Sequence, residues 1–505
     1  MTLRRSLLVS MFETGSVLVQ FAYFLLWGYY FGARPEMDAF LTSVALPMVL
    51  AAVTTGPLIS SLVPILVEQN IHRIPEEVNR LQNNLLNIFF LGGVALAAPI
   101  FFSPGTIVRL IAPGLKPESL WLAAQLLRIE ALALPLMIIA GVLVSFFYVR
   151  ERFYRPTIAP LAGSLAALLL LVLVQKKLGI YVLAWGLLLS TLVQLLLLSG
   201  IILRNYSPCL DWRDPGFRQL MKKMAPLSAG NLYYKSDALV DRFIASFLPA
   251  GSISYLGYGQ RIHQAVNQVL NRGLITTRFP EMAASKEKNI EEFKRTLHRL
   301  LEKVLFVAIF LTAALLLLAY PGIRLLLQRG AFTVADSGHT AAVLIALVGL
   351  MVGGLLGSVL ANTFYALGDT KTIAQIGVAV FSVGILLKIG GVLLFSYVGV
   401  AAATSAYFLL AAVVEMTVLQ KRLRLFNLRT IGAELLKMTV AGLLAFSAGF
   451  FVKRAAGHAL PGVLATLGIT LVTYLLASWK LGILTATGLR DLLPWTKTGT
   501  TAHDD

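Results

Sequence analysis

Apolar residues along this 505-residue chain come in long blocks, unlike the alternation of strands or the narrow stripes of soluble helices. Fourteen blocks can be traced, at 6–31, 38–67, 81–102, 120–149, 156–174, 180–203, 224–248, 252–283, 300–319, 337–367, 372–395, 400–419, 432–451 and 462–481. Each is roughly 18 to 32 residues long, enough to cross a hydrocarbon core of ~30 Å. In lipid a single crossing segment must satisfy its own backbone, so each block predicts a helix. The expected fold is an all-α polytopic membrane protein with about 14 transmembrane helices. The first block is too long for a cleavable signal and contains Glu13, so it is expected to remain as a helix.

The blocks repeat. Ser103-Pro104-Gly105 returns as Tyr320-Pro321-Gly322 at the same offset at which Phe147-Tyr148 returns as Phe364-Tyr365, and Pro64 meets Pro280 one position short of it. That offset pairs spans one to six with spans seven to twelve. An even number of crossings restores chain direction, so the two units form a parallel repeat about an axis along the membrane normal, as in transporters. The expected organisation is an N-terminal six-helix lobe over 1–204, a second over 205–425, two further transmembrane helices over 426–482 and a cytoplasmic tail over 483–505. Charged linkers follow the second span of each lobe, and in the later one Ile290, Phe293, Leu297 and Leu300 recur at helical spacing, predicting an interfacial helix.

Polar residues inside the blocks are few, and a charge at mid-bilayer costs at least roughly 2.5 to 3.5 kcal/mol, so each needs a partner or a cavity. Gln260, Gln264, Asn267, Gln268 and Asn271 share one helical face, with Arg261 and His263 beside it. Such a face suits a wet interior surface; helix-to-helix amide bonding is the plainer alternative. A guanidinium grips phosphate oxygens bidentately, so Arg261 and Arg272 point to an anionic ligand, whereas Arg278 could equally sit among headgroups. Glu13 and Asp38 are the acidic candidates in the first two spans. Asp237 and Asp241 lie one helical turn apart and repel unless a cation, a proton or a base intervenes.

The formal charge of +18 raises nucleic acid as a partner, but most of the 43 Lys and Arg fall on one side of the predicted spans, among them Arg4, Arg5, Arg150, Arg152, Arg155 and Lys421. Positive-inside topology accounts for this without nucleic acid and places both termini in the cytoplasm. With 57% hydrophobic and 13% charged residues and a mean hydropathy of +0.78, the chain falls outside the range of soluble globular proteins. Cys209 is the single cysteine and forms no intramolecular disulfide. No CxxC, HExxH, GxxxxGK[ST] or GxSxG pattern occurs, so neither an enzyme nor a cofactor is expected.

Phe31-Gly32-Ala33 through Asp38-Ala39-Phe40, Leu46-Pro47, Val63-Pro64, Ala245-Ser246-Phe247-Leu248 after Asp241-Arg242, Tyr258-Gly259-Gln260-Arg261 and Arg329-Gly330-Ala331-Phe332-Thr333 with Asp336 together resemble the MurJ/MviN branch of the multidrug/oligosaccharidyl-lipid/polysaccharide exporters. The resemblance covers all fourteen blocks. It implies two lobes around a cavity, a groove on the two extra helices, and alternating-access flipping of an undecaprenyl-pyrophosphate-linked precursor, lipid II in the type members. Implied partners are that polyprenyl-linked glycan, membrane lipids and cell-wall synthases, at the inner membrane. Asp38 and Arg261 match positions the family uses.

The chain also departs from the pattern. Where the family presents cavity arginines in its first two spans, this chain has Val17, Tyr23 and Ala51. Weaker headgroup binding follows, with poor rescue of a lost lipid II flippase, and an exopolysaccharide or O-antigen precursor becomes the alternative substrate; a cation-coupled multidrug exporter ranks below both. A sodium site of some relatives would use Asp237 and Asp241 here, but Lys388 stands in the eleventh span, where its ammonium would substitute for the coupling Na+ or H+.

Overall fold

The computed structural model describes residues 3–72, 75–200, 206–270, 289–423 and 428–483, and among these residues it is helical with no strand. Two compact units divide the chain: Met1–Ser254 with Arg329–Phe332, and Tyr255–Gln328 with Thr333–Asp505.

The first unit holds α1 (Leu3–Phe31), α2 (Pro35–Ser43), α3 (Ala45–His72), α4 (Pro75–Phe102), α5 (Pro104–Ile111), α6 (Pro117–Ala131), α7 (Ala133–Val149), α8 (Tyr154–Leu178), α9 (Tyr181–Ser199), α10 (Pro215–Lys235), α11 (Asp237–Ala245) and the first turn of α12 (Ser252–Leu270). Within it α3 and α4 pack along α7, α1 along α8, α8 along α9 and α10 along α3. Leu58, Leu62, Leu126, Leu134, Val142 and Phe146 are fully buried in its centre. Lipid offers no hydrophobic drive between helices, so close packing supplies the attraction. Gly141 of α7 lies so near α3 that an added Cβ would stand 2.8 Å from the Thr55 methyl.

The second unit holds the rest of α12, then α13 (Ile290–Leu327), α14 (Val334–Ala346), α15 (Val348–Leu367), α16 (Thr370–Leu423), α17 (Leu428–Ala456) and α18 (Leu460–Lys480). The stretch expected to be a separate interfacial helix is instead the opening of α13, a continuous helix of 38 residues. At about 1.5 Å per residue it is far longer than a bilayer core requires, which leaves its first turns beyond the hydrocarbon. Helices α17 and α18 pack on α13 through Phe306, Met438, Ala441, Ala445 and Tyr474, and the Tyr474 hydroxyl donates to the Phe306 carbonyl at 2.8 Å.

Eleven helices among the described residues are long and apolar enough to cross a membrane. The sequence divides them more finely. Helix α16 carries two expected spans, which meet at Phe395 and Ser396, the latter at φ +55°. The seventh span is split into α10 and α11 at Ser236, and the eighth continues into residues outside those described. Large apolar side chains such as Leu173, Leu196, Leu386, Leu393 and Phe451 are mostly exposed, an outward face that suits acyl chains.

Besides the split at Ser236, three further spans are broken in mid-course, for two different reasons. Pro47 and Pro135 each sit four residues after the last residue of the preceding helix, Ser43 and Ala131, and the proline ring excludes that carbonyl from a continuing helix. The break between α14 and α15 has no proline. There the Ser405 hydroxyl donates to the Ala346 carbonyl at 2.5 Å and accepts from the Leu350 N–H at 2.9 Å, inserting itself between the partners of one backbone bond.

Candidate functional site

Helix α2 opens with Pro35 at its first turn after Gly32, which takes φ +61°. Asp38 on that turn is 4% exposed. Its Oδ2 accepts the Gly251 N–H at 2.6 Å, and its Oδ1 accepts the Ser254 N–H at 2.7 Å and the Ser254 hydroxyl at 2.5 Å. Those are donors at the start of α12 that lack helical partners, so the carboxylate caps the helix. Buried Arg242 of α11 donates to the Ile253 carbonyl at 3.4 Å and sets its charge against Asp38 and Asp241. Asp38 is thereby held in a buried polar knot. Ser254 and Arg242 were not singled out as functional from sequence, because their partners are distant in the chain.

A second contact draws two of the sequence motifs together. The Ala331 N–H donates to the Tyr29 carbonyl at 2.8 Å. Gly330, at φ +60°, lies so close that any Cβ would collide with that carbonyl, and a Cβ on Gly32 would come within 2.5 Å of the Ala331 oxygen. The 329–332 loop is thus keyed into the end of α1.

In the second unit α12 carries the polar stripe as the spacing predicts. Arg261, Gln264 and Gln268 are exposed and Gln260 and Asn267 half-buried, while Tyr258, Ile262 and His263 are buried. One helix therefore presents a guanidinium among amides on one face and a largely apolar body, with His263 in it, on the other. Arg272, Arg278 and Asn271 lie outside the described residues. At the start of the same helix the Tyr255 hydroxyl donates to Asp336 at 3.1 Å, and its ring packs against His339, itself hydrogen-bonded to the Tyr397 hydroxyl at 2.6 Å. Asp336 belongs to the capping box of α14 with Thr333.

Asp237 opens α11 and is half-buried, Asp241 one turn later is buried, and both are in the first unit. Lys235 ends α10 across the break and is exposed. Lys388 is fully buried in α16 with its ammonium 5.6 Å from the centre of the Tyr407 ring. Glu13 is exposed on α1. The described residues thus bring together Gln260, Arg261, Gln264 and Asn267 on α12, while Asp38, Glu13, Asp237 and Asp241 belong to the other unit.

A family model described as the lipid II flippase MurJ matches residues 27–473, most of the chain. The chain belongs to the MurJ lipid II flippase family. It is similar to a probable lipid II flippase MurJ of Buchnera aphidicola subsp. Acyrthosiphon pisum, 26% identical over 390 residues, covering 74% of this chain and 75% of the relative. It is also similar to the probable lipid II flippase MurJ of Synechocystis sp., 25% identical over 476 residues, covering 89% and 83%. In fold it resembles a solved lipid II flippase MurJ in an inward closed conformation, with a TM-score of 0.82 at 22% identity over 96% of this chain and 99% of that one. An inward-facing multidrug-resistance MATE transporter of the MOP superfamily shares the fold more loosely, with a TM-score of 0.69 at 16% identity over 80% and 94%. The MurJ relatives are named as flippases, not enzymes, and this MurJ family member is a multi-pass membrane protein.

Proposed function

We propose that this MurJ family member flips an undecaprenyl-pyrophosphate-linked glycan precursor of the lipid II class across the cytoplasmic membrane by alternating access, without an enzymatic step. The observation that carries this reading is the exposed face of α12, where Arg261 stands among Gln260, Gln264 and Asn267 in a helix whose other face is largely apolar. A guanidinium is always charged and offers two parallel donors to a pyrophosphate, and amides suit the sugar and peptide hydroxyls and carbonyls beside it. Glu13, Asp38 and Arg272 remain candidate contacts of the headgroup. For Asp38 the capping of α12 favours positioning the helix that carries Arg261 over direct contact. Asp237 and Asp241 are the candidate coupling groups for Na+ or H+, with the Lys388 ammonium standing in for a bound cation. Both termini lie in the cytoplasm in this reading, and cell-wall synthases receive the product.

A second substrate remains because Val17, Tyr23 and Ala51 supply no cationic contact, and Ala51 is buried. That favours an exopolysaccharide or O-antigen precursor on the same carrier. Reconstitution of the purified chain with fluorescent lipid II, and separately with another polyprenyl-pyrophosphate oligosaccharide, decides between them. Movement of lipid II that Arg261→Ala abolishes is the expected result; movement of the second lipid alone would transfer the function to that substrate, and movement of neither would remove the reading.

A further inference from the structure

Near the start of α13, His298 and Glu302 stand one turn apart, with His298 Nε2 2.9 Å from Glu302 Oε1. Glu434, near the start of α17, brings its Oε2 to 3.9 Å from the same imidazole nitrogen. One nitrogen and two carboxylate oxygens thus lie within 4.8 Å of one another. Glu302 is buried, and Glu434 Oε2 is buried with no hydrogen-bond donor among the described residues. Beside them is a cavity of about 20 Å³, lined otherwise by Leu301, Leu305, Met416, Leu435 and Met438.

Two carboxylates this close repel unless a shared proton or a cation stands between them. The pairing with His298 one turn earlier accounts for Glu302, but not for the second carboxylate, Glu434, brought to the same nitrogen. We infer that His298, Glu302 and Glu434 form a binding site for a divalent metal ion of the Zn2+ class. Ligand atoms around a tetrahedral ion with bonds of about 2.1 Å stand about 3.4 Å apart, between the two separations seen here. The set of one imidazole and two carboxylates is of the kind Zn2+ accepts, and the His and Glu four residues apart on one helix share a face. The cavity holds one water-sized occupant, room for a single solvent ligand beside an ion set among the three side chains. Lys303 and Lys437 add positive charge nearby, so the ion competes with both lysines and binds less tightly than in a closed structural site. Because the ligands come from α13 and α17, a bound ion fastens the C-terminal helix pair to the long helix that precedes it.

The site is independent of the flipping reading and is tested without transport. The full-length protein, with its tag removed and Cys209→Ser as background, is stripped with chelator and titrated with Zn2+ against a chromophoric competitor. One saturable equivalent is expected, with Mg2+ and Na+ failing to compete. Glu434→Gln and His298→Ala should each weaken binding by about tenfold or more, and the zinc X-ray absorption edge should report imidazole and oxygen ligands only. Glu434→Gln is isosteric, so it remains interpretable should the histidine variant fail to fold. Absence of a saturable equivalent in the parent protein, or unchanged affinity in Glu434→Gln, would overturn the site.

Discussion

Asp38 and Ser254, on α2 and α12, are joined twice: one carboxylate oxygen accepts both the backbone N–H and the hydroxyl of the serine. The other oxygen takes Gly251. A side chain whose acceptors are so fully engaged holds the start of α12 in place. Arg261 lies two turns further along that helix.

Asp38→Ala removes three hydrogen bonds to a charged acceptor, each contributing roughly 1.5 to 3 kcal/mol, and leaves buried donors unpaired. The expected outcome is a loss of at least about 3 kcal/mol, read as a lower melting temperature in detergent and lower membrane abundance. Ser254→Ala should act in the same direction and more weakly. Were Asp38→Ala to abolish flipping with an unchanged melting temperature, its role would be contact with the substrate and not capping.

Arg261→Lys keeps the charge but not the paired donors, so it should lose most transport, and Arg261→Ala should be no milder. Melting temperatures should stay near the parent value, since the side chain is exposed. Normal transport by Arg261→Ala at normal abundance would take this residue out of the substrate site.

Gly330→Ala places a methyl against the Tyr29 carbonyl at a backbone angle of φ +60°, where strain of about 1 to 3 kcal/mol adds to the clash. The variant should be less stable and less abundant. Gly105→Ala, facing open space inside α5, serves as the control and should be neutral or slightly stabilising. Equal stability of the two variants in a thermal-shift assay would show that the keyed loop is dispensable.

Reporter fusions decide the orientation that charge asymmetry predicts. Fusions after Arg155 and Arg218 should read as cytoplasmic and one after Gly251 as exterior. Reversal of the pattern would invert the proposed direction of both lobes.

The sequence by itself determined that the chain crosses a membrane many times. Apolar blocks matched to bilayer thickness are a local property, read without knowing any partner. The breaks before Pro47 and Pro135 are local in the same way, because each proline acts on a carbonyl four residues back. So is the polar face of α12: residues 260, 264 and 267 share it by helical period alone. Tertiary structure decided what distance in the chain concealed. The break at Leu347 depends on a hydroxyl from Ser405. The engagement of Asp38 depends on donors at Gly251 and Ser254, and the meeting of His298, Glu302 and Glu434 on two helices whose pairing no pattern in either one specifies. Hydropathy and period fix which segments become helices and which face is polar, but a hydrogen bond or a ligand set between distant residues exists only once packing has brought them within about 3 to 4 Å.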